Sequence, residues 1–509
     1  MSRTLNSAKN LIAGISISVV MTLLGFITRK IFVDTIGVEY LGLNGLLQNI
    51  LGIMTLLEGG FATSVIYNMY KPLAEDNKVE ILGLLQLYKK VYRYIALGIS
   101  IFGLCLYPFL EFFIEDSSDL DYLGTVYFIF LFNSIIQYFT AYKWSLINAS
   151  QQNYKLATIN LSYQIILSIT KIAILYITKN YILFLIVESI CNIGLNIAVV
   201  RKANKLFPYI VNAPKYKVSP SVKKNIITNM KALFLHSLGG YFMHSTDNIV
   251  MSAYLGVGIV GLYSNYTLLT STIKSFTNQI LNSFSESVGN LIASESRDYS
   301  YKVFKTSYFV NFLTVSIPVI VLAVTAQPFL NWWLGEQYVL SNMVLALILL
   351  NFYIDGMRTT ILTFKPKAGI FTKDKFTPLL QGLINLILSL LFVRYWGLKG
   401  VLIATSISII AISFWQWPRL IYRYVFHVKL KEFFYHYFFY FAAFIISLIT
   451  SLVLASLFKS FDILLQVIIN CLISLVVTIG IYIILFRKTS EYSQLKHYCL
   501  SVINYSLKC

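Results

Sequence analysis

Charge is what this sequence has least of. Asp, Glu, Lys and Arg make up 12% of its 509 residues, 57% are hydrophobic, and the mean hydropathy is +0.69. A water-soluble protein of this length could not hide so much apolar surface. Cysteine is scarce too. Cys105, Cys191, Cys471, Cys499 and Cys509 stand far apart, with no metal or redox spacing among them. Catalytic motifs are missing: there is no Gly-rich phosphate loop with lysine, no HExxH and no GxSxG. No enzyme activity, cofactor or metal is therefore expected. The segments between apolar runs are too short for a nucleotide-binding domain. Transport would have to draw on an Na+ or H+ gradient, the membrane potential, or the substrate's own gradient. The N-terminus lacks a small-residue cleavage site, and its first apolar run is followed at once by others, which argues against a removable signal peptide.

What the chain has instead is apolar runs of spanning length from end to end, the mark of an all-α polytopic membrane protein. About fourteen spans are predicted, near 10–33, 41–66, 93–113, 122–142, 156–177, 181–200, 232–252, 257–284, 306–327, 341–362, 377–395, 398–418, 433–457 and 463–486. Bases outnumber acids, 41 to 22, for a net charge of +19. In a soluble chain that excess would suggest nucleic acid; here the positive-inside rule explains it better. With both termini in the cytoplasm, about 33 of the 41 Lys and Arg fall on the cytoplasmic side. Lys179, Arg394, Lys399 and Lys459 fall outside, and Arg29, Lys30, Lys171 and Lys274 within spans. The outer loops gather acids such as Glu111, Glu115, Asp116, Asp119 and Asp121.

The basic stretch from Arg201 to Lys231, with Pro208, Pro214 and Pro220, reads as a cytoplasmic linker whose lysines lie against anionic headgroups. The two sides of this linker echo each other. Gly37-Val38-Glu39-Tyr40-Leu41-Gly42-Leu43 matches Gly256-Val257-Gly258-Ile259-Val260-Gly261-Leu262 at an offset of 219 residues, and the same offset lays 73–78 on 292–297. An even number of spans separates the copies, so the repeats share one orientation, related by a pseudo-twofold along the membrane normal. The expected plan is an N-terminal lobe (1–204, spans 1–6), a linker (205–231), a C-terminal lobe (232–424, spans 7–12), and spans 13 and 14 with the tail (425–509). The two six-helix lobes would enclose a central cleft.

Polar residues sit at helical spacing on the first two spans of each repeat. Span 2 carries Asn44, Gln48, Gly52, Thr55, Gly59 and Ala62 on one stripe, with Glu58 beside it; span 8 carries Thr267, Ser271, Lys274, Asn278, Asn282 and Ser285; span 7 carries His236, Gly240, His244 and Asp247. Small and hydroxyl residues also line tight helix crossings, which is the plainer reading for the Gly, Ser and Thr positions. Charges are harder to dismiss, since an ionisable group in a span costs about 2.5–3.5 kcal/mol on insertion scales. Arg29 and Lys30 lie at the outer end of span 1, against the charge rule, and with Lys274 they suggest an anion to hold. Asn44, Gln48 and Asn278 would complete a substrate-binding set. Glu58, Asp247 and Glu188 would counter these cations or couple an ion or proton. His236 and His244 more simply make hydrogen bonds than sense pH. Spans 13 and 14 hold almost no polar residues and read as lipid-facing anchors or as an apolar groove for a lipid tail.

The arginine in span 1, then GVEYLGLNGLL, then Leu57-Glu58-Gly59-Gly60, resembles the bacterial polysaccharide flippases, the Wzx-like and lipid II flippase branches of the MOP (multidrug/oligosaccharidyl-lipid/polysaccharide) superfamily. Asp247-Asn248-Ile249-Val250 and LGVGIVGLYSNYTLL resemble the corresponding second-half segment. The resemblance implies a cell-membrane transporter that carries an undecaprenyl-pyrophosphate-linked oligosaccharide from the inner to the outer leaflet by alternating access, with glycan polymerase or glycosyltransferases as partners. It matches Arg29 to the first-span arginine of the lipid II branch and Glu58 to an acid in its second span. That branch has an arginine early in span 8 where this chain has Thr267, with Lys274 two turns further on. The departure favours a lipid-linked glycan other than lipid II. Two rivals remain: an ion-coupled drug/cation antiporter of the same superfamily, and a non-transport scaffold for glycan assembly.

Overall fold

The computed structural model describes residues 2–497 except 59, 115–121, 151, 153, 295, 369, 371–373 and 459. Within that range it describes side chains other than those of 2–17, 55, 57, 154, 229, 231–233, 235, 236, 243, 244, 280 and 282–294. The described residues are mostly helical, with no strand among them. The helices are α1 (Ser2–Thr35), α2 (Val38–Gly52), α3 (Phe61–Ala74), α4 (Lys78–Leu106), α5 (Leu123–Ile136), α6 (Ala141–Ala149), α7 (Tyr154–Thr178), α8 (Tyr181–Leu206) and α9 (Pro220–His244). They continue as α10 (Thr246–Ser294), α11 (Arg297–Leu334), α12 (Asn342–Gly356), α13 (Thr359–Lys367), α14 (Thr377–Trp396), α15 (Leu398–Ser408), α16 (Phe414–Ile421), α17 (Leu430–Ser456) and α18 (Ile463–Phe486). Among the described residues, ten helical segments are long and apolar enough to cross a bilayer, eleven if α5 and α6, bent by 50°, form one span. The protein is thus a multi-pass helical membrane protein. Lipid offers no partners for bare backbone, so the chain turns only where helix ends can be satisfied. Asn77 caps α4, Asn180 caps α8, Ser296 caps α11 and Asp462 caps α18 through side-chain oxygens.

The chain divides into two compact units. The first comprises Val19–Gly261 and Pro378–Gly397; the second comprises the remaining described residues.

In the first unit the repeated sequence becomes a reciprocal contact. Gly37 precedes α2 with φ +104° and ψ 166°, and Gly256, its counterpart 219 residues on, kinks α10 with φ +80° and ψ 160°. Side chains rarely adopt this region, so both copies need glycine at the bend. Beyond each bend the backbones meet. A Cβ on Gly42 would overlap the Val257 carbonyl oxygen and lie 2.8 Å from the Gly261 nitrogen. A Cβ on Gly261 would overlap the Val38 carbonyl oxygen and lie 2.8 Å from the Val38 side chain. Val38 pairs with Gly261 as Val257 pairs with Gly42, and each pair maps onto the other by the repeat offset. A self-complementary contact of this kind is what a local twofold generates.

Span 2 is not one helix. α2 stops at Gly52, a 3-10 stretch runs from Ile53 to Glu58, and α3 starts after Gly60, whose φ is +72°. The stripe expected from Asn44 to Ala62 is therefore broken, because its spacing assumes 3.6 residues per turn throughout. The stripe on span 7 breaks similarly. α9 ends at His244, and Asp247 lies in the first turn of α10.

In the second unit α17 and α18 pack on α11. Asn470, Ser474, Thr478, Tyr482 and Phe486 recur every four residues on the buried side of α18, and the Asn470 amide donates to the Val324 carbonyl at 3.3 Å. Ser447 and Ser451 are buried on α17. Leu472, Val476 and Ile484 are exposed on α18. Ser447, Ser451, Asn470, Ser474 and Thr478 thus share a buried seam, where small side chains let helices approach closely in a bilayer.

Candidate functional site

The second unit holds a line of charges threaded between apolar helices. α12 ends at Gly356, whose carbonyl accepts from the buried Asn311 amide at 3.0 Å, and α13 begins two residues after Met357. This break puts Asp355 and Arg358 on adjacent turns. A five-residue π-helical stretch, Ile409–Ser413, then leads into α16, so that Ser413 at its end and Trp417 on α16 stand one turn apart. Lys274 of α10 donates to Asp355 Oδ2 at 2.9 Å, and Arg358 pairs with the other oxygen of the same carboxylate. Arg358 also donates to Ser413 and lies 4.7 Å from the Trp417 ring centroid. Lys365 lies 4.7 Å from that centroid as well and pairs with Asp374, which accepts from Trp417 Nε1 at 3.1 Å. Cation–π contact strengthens as water is removed.

Exposure grades along this line. The Lys274 side chain is 49% exposed, Asp355 25%, Arg358 5%, Lys365 4% and Asp374 1%. Among the described residues of this line, three cations stand against two carboxylates. The accessible end of the line is the ammonium of Lys274. Asn278, one turn further along α10, is half-buried. Asn282 and Ser285 of the same stripe lie outside the described side chains, as do His236 and His244 of α9 and Thr55 of the stretch after α2.

In the first unit Arg29 is half-buried on α1. Lys30 pairs with Asp34 one turn on, at 3.2 Å. Asn44 accepts from the Tyr181 hydroxyl, and Gln48 is exposed on α2. Glu58 stands at the end of the 3-10 stretch and accepts from the Tyr92 hydroxyl. Tyr92 stacks on Tyr88 at 4.2 Å between centroids and leans on Tyr138 at 5.2 Å. Glu188 pairs with Lys171 at 2.8 Å, and that ammonium also lies 4.5 Å from the Phe184 ring centroid. Asp247 is half-buried at the start of α10.

Of the residues singled out from sequence, only Lys274 lies in the charge line. Periodicity alone does not single out Asp355, Arg358, Lys365, Asp374 or Trp417. One signal was available: Asp355 and Arg358 both fall inside the predicted limits 341–362. Span 6 offers another. Glu188, Asn192 and Asn196 recur every four residues; Asn192 accepts from Tyr163, Asn196 from Thr140, and Asn204 from Lys143 at 2.7 Å. Among the described residues no three His, Cys, Asp or Glu side chains come together as a metal site would require.

A family model described as polysaccharide biosynthesis protein matches residues 42–343, more than half of the chain. No curated protein matches it. Among solved structures, the lipid II flippase MurJ in its inward closed conformation is similar with a TM-score of 0.66 over 94% of this chain and 99% of that one, at 17% identity. The MATE multidrug transporter DinF-BH gives 0.59 over 81% and 96%, at 17% identity. A point mutant of the Vibrio cholerae MATE transporter VcmN gives 0.55 over 82% and 96%, at 13% identity. At these identities what is shared is the fold.

Proposed function

This chain belongs to the polysaccharide biosynthesis protein family, and on that premise we propose that it is a transporter moving a glycan, linked through diphosphate to a polyprenol of the undecaprenol type, from the inner to the outer leaflet of the cell membrane. The glycan would serve a capsule, an exopolysaccharide or another surface polymer. The observation that carries this reading is the charge line ending at the half-exposed ammonium of Lys274, with three cations to two carboxylates among its described residues. A diphosphate is a dense anion that leaves water only for Arg or Lys partners. Arg29 and Lys274 are the proposed contacts, each in its own unit. Lys30 contributes less, because Asp34 already neutralises it. Asn44, Gln48 and Asn278 offer the uncharged hydrogen bonds that sugars need. The lipid tail stays in the bilayer, where each buried CH₂ gains about 0.8 kcal/mol.

The rest of the proposal follows from the sequence: alternating access of the two repeat halves, 1–204 and 232–424, joined by the linker 205–231, with both termini cytoplasmic, and drive from an Na+ or H+ gradient or the membrane potential. Glu58, Glu188 and Asp247 are the carboxylates proposed as counter-charges or for ion or proton coupling, and glycosyltransferases or a polymerase are the expected neighbours. The shared fold with MATE transporters supports a second reading, cation efflux. A cationic drug would meet like charge at Lys274, so that reading needs an acid-dominated site elsewhere.

Arg29→Ala tests the first reading. It is expected to abolish surface-glycan export in cells while the protein still accumulates in the membrane. Normal export at normal abundance would remove Arg29 from the site.

A further inference from the structure

Asp355 holds two cations of different character on its two oxygens. Arg358 is nearly fully buried, hydrogen-bonded to Ser413 and stacked on Trp417, so it is fixed. Lys274 comes from α10, is half exposed, and ends a flexible four-carbon stem. We propose that Asp355 is a resident competitor, a carboxylate that occupies Lys274 in the empty transporter and is exchanged for phosphate oxygens when the headgroup arrives. The inference rests on the reading of Lys274 as a diphosphate contact and adds to it the residue that sets its selectivity.

Binding at Lys274 is an exchange of partners. When Lys274 swings to a ligand, Asp355 keeps Arg358, so no carboxylate is stranded without a counter-charge. The swing gives up one charge-assisted hydrogen bond and gains another. A ligand with a single negative charge replaces like with like and gains little, while still facing the negative field of Asp355. A diphosphate carries more charge and more acceptor oxygens, and it wins the exchange. Asp355 therefore acts as a threshold: it rejects lipids with one negative charge, such as phosphodiester headgroups, and admits the dense anion. Discrimination of this sort works by penalising the wrong ligand as much as by attracting the right one.

The consequence has an unusual sign, because removing a site carboxylate should improve binding. Full-length protein in detergent would be titrated with inorganic pyrophosphate and, separately, with dimethyl phosphate, a phosphodiester with one negative charge. Asp355→Asn is expected to bind pyrophosphate about tenfold more tightly than wild type, and dimethyl phosphate by a still larger factor, narrowing the preference between the two anions. Lys274→Gln is expected to lose pyrophosphate binding. If Asp355→Asn fails to accumulate, Asp355→Ser takes its place, since it leaves room for water or chloride beside Arg358. A purely structural Asp355 would give a less stable variant with unchanged or weaker binding of both anions, and that result overturns the inference. If Lys274→Gln still loses binding, the headgroup reading survives such a failure. Unchanged pyrophosphate binding in Lys274→Gln overturns the reading of Lys274, and the inference with it.

Discussion

Asp374→Asn is expected to destabilise the protein by about 3–5 kcal/mol, the range for breaking a buried ion pair by removing one partner. Asp374 is 1% exposed and neutralises Lys365, which is 4% exposed. No bulk water reaches this ammonium, and its other contact is the face of Trp417. The amide would keep a hydrogen bond to Trp417 Nε1 but leave a buried cation uncompensated. Thermal unfolding of the purified protein in detergent, with membrane abundance in cells, checks the effect. Removing both charges should restore much of the loss, so Lys365→Met combined with Asp374→Asn should be more stable than Asp374→Asn alone. A single variant that melts like wild type would mean that the pair is solvated in the membrane-embedded protein.

Gly42→Ala is expected to reduce export by about tenfold or more, since displacements of an ångström suffice for losses of that size. The added methyl would coincide with the Val257 carbonyl oxygen and press on the Gly261 nitrogen. Those are backbone atoms of another helix, with no rotamer to give way, so α2 and α10 would have to separate. Gly261→Ala presses on Val38 in the reciprocal way and should behave alike. Gly45→Ala is the control: its nearest neighbour is a Val260 methyl at 3.6 Å, and it should be tolerated. Equal export by the Gly42 and Gly45 variants, at equal abundance, would show that the close crossing is dispensable.

These residues also show what a sequence can and cannot carry. The Gly37–Leu43 repeat at 256–262 was legible because both copies need the same bend and the same close approach, and such needs leave glycine at fixed places. The apolar spans were legible because the bilayer demands length and hydropathy. Polar stripes were legible only along unbroken helix. On α10 the spacing from Thr267 to Asn278 holds, whereas Gly60 breaks the stripe of span 2 and the end of α9 at His244 breaks that of span 7. The partners of charges were not legible. Lys274 meets Asp355 across 81 residues, and nothing in either local sequence names the other. Lys365 and Asp374 lie beyond the predicted end of the tenth span, where a charged loop is the ordinary expectation. They are buried because α13 and α16 fold around Trp417.

The central claim, that the chain moves a diphosphate-linked glycan across the bilayer, is tested most directly in liposomes. Purified protein would be reconstituted with a fluorescent polyprenyl-diphosphate oligosaccharide, under an imposed membrane potential or an Na+ or H+ gradient, and exposure of the label to a membrane-impermeant quencher followed over time. The account predicts transfer by wild type that exceeds protein-free liposomes and is lost in Arg29→Ala and Lys274→Gln. Transfer no faster than in protein-free liposomes under every gradient, or equal transfer by wild type and both variants, would contradict it.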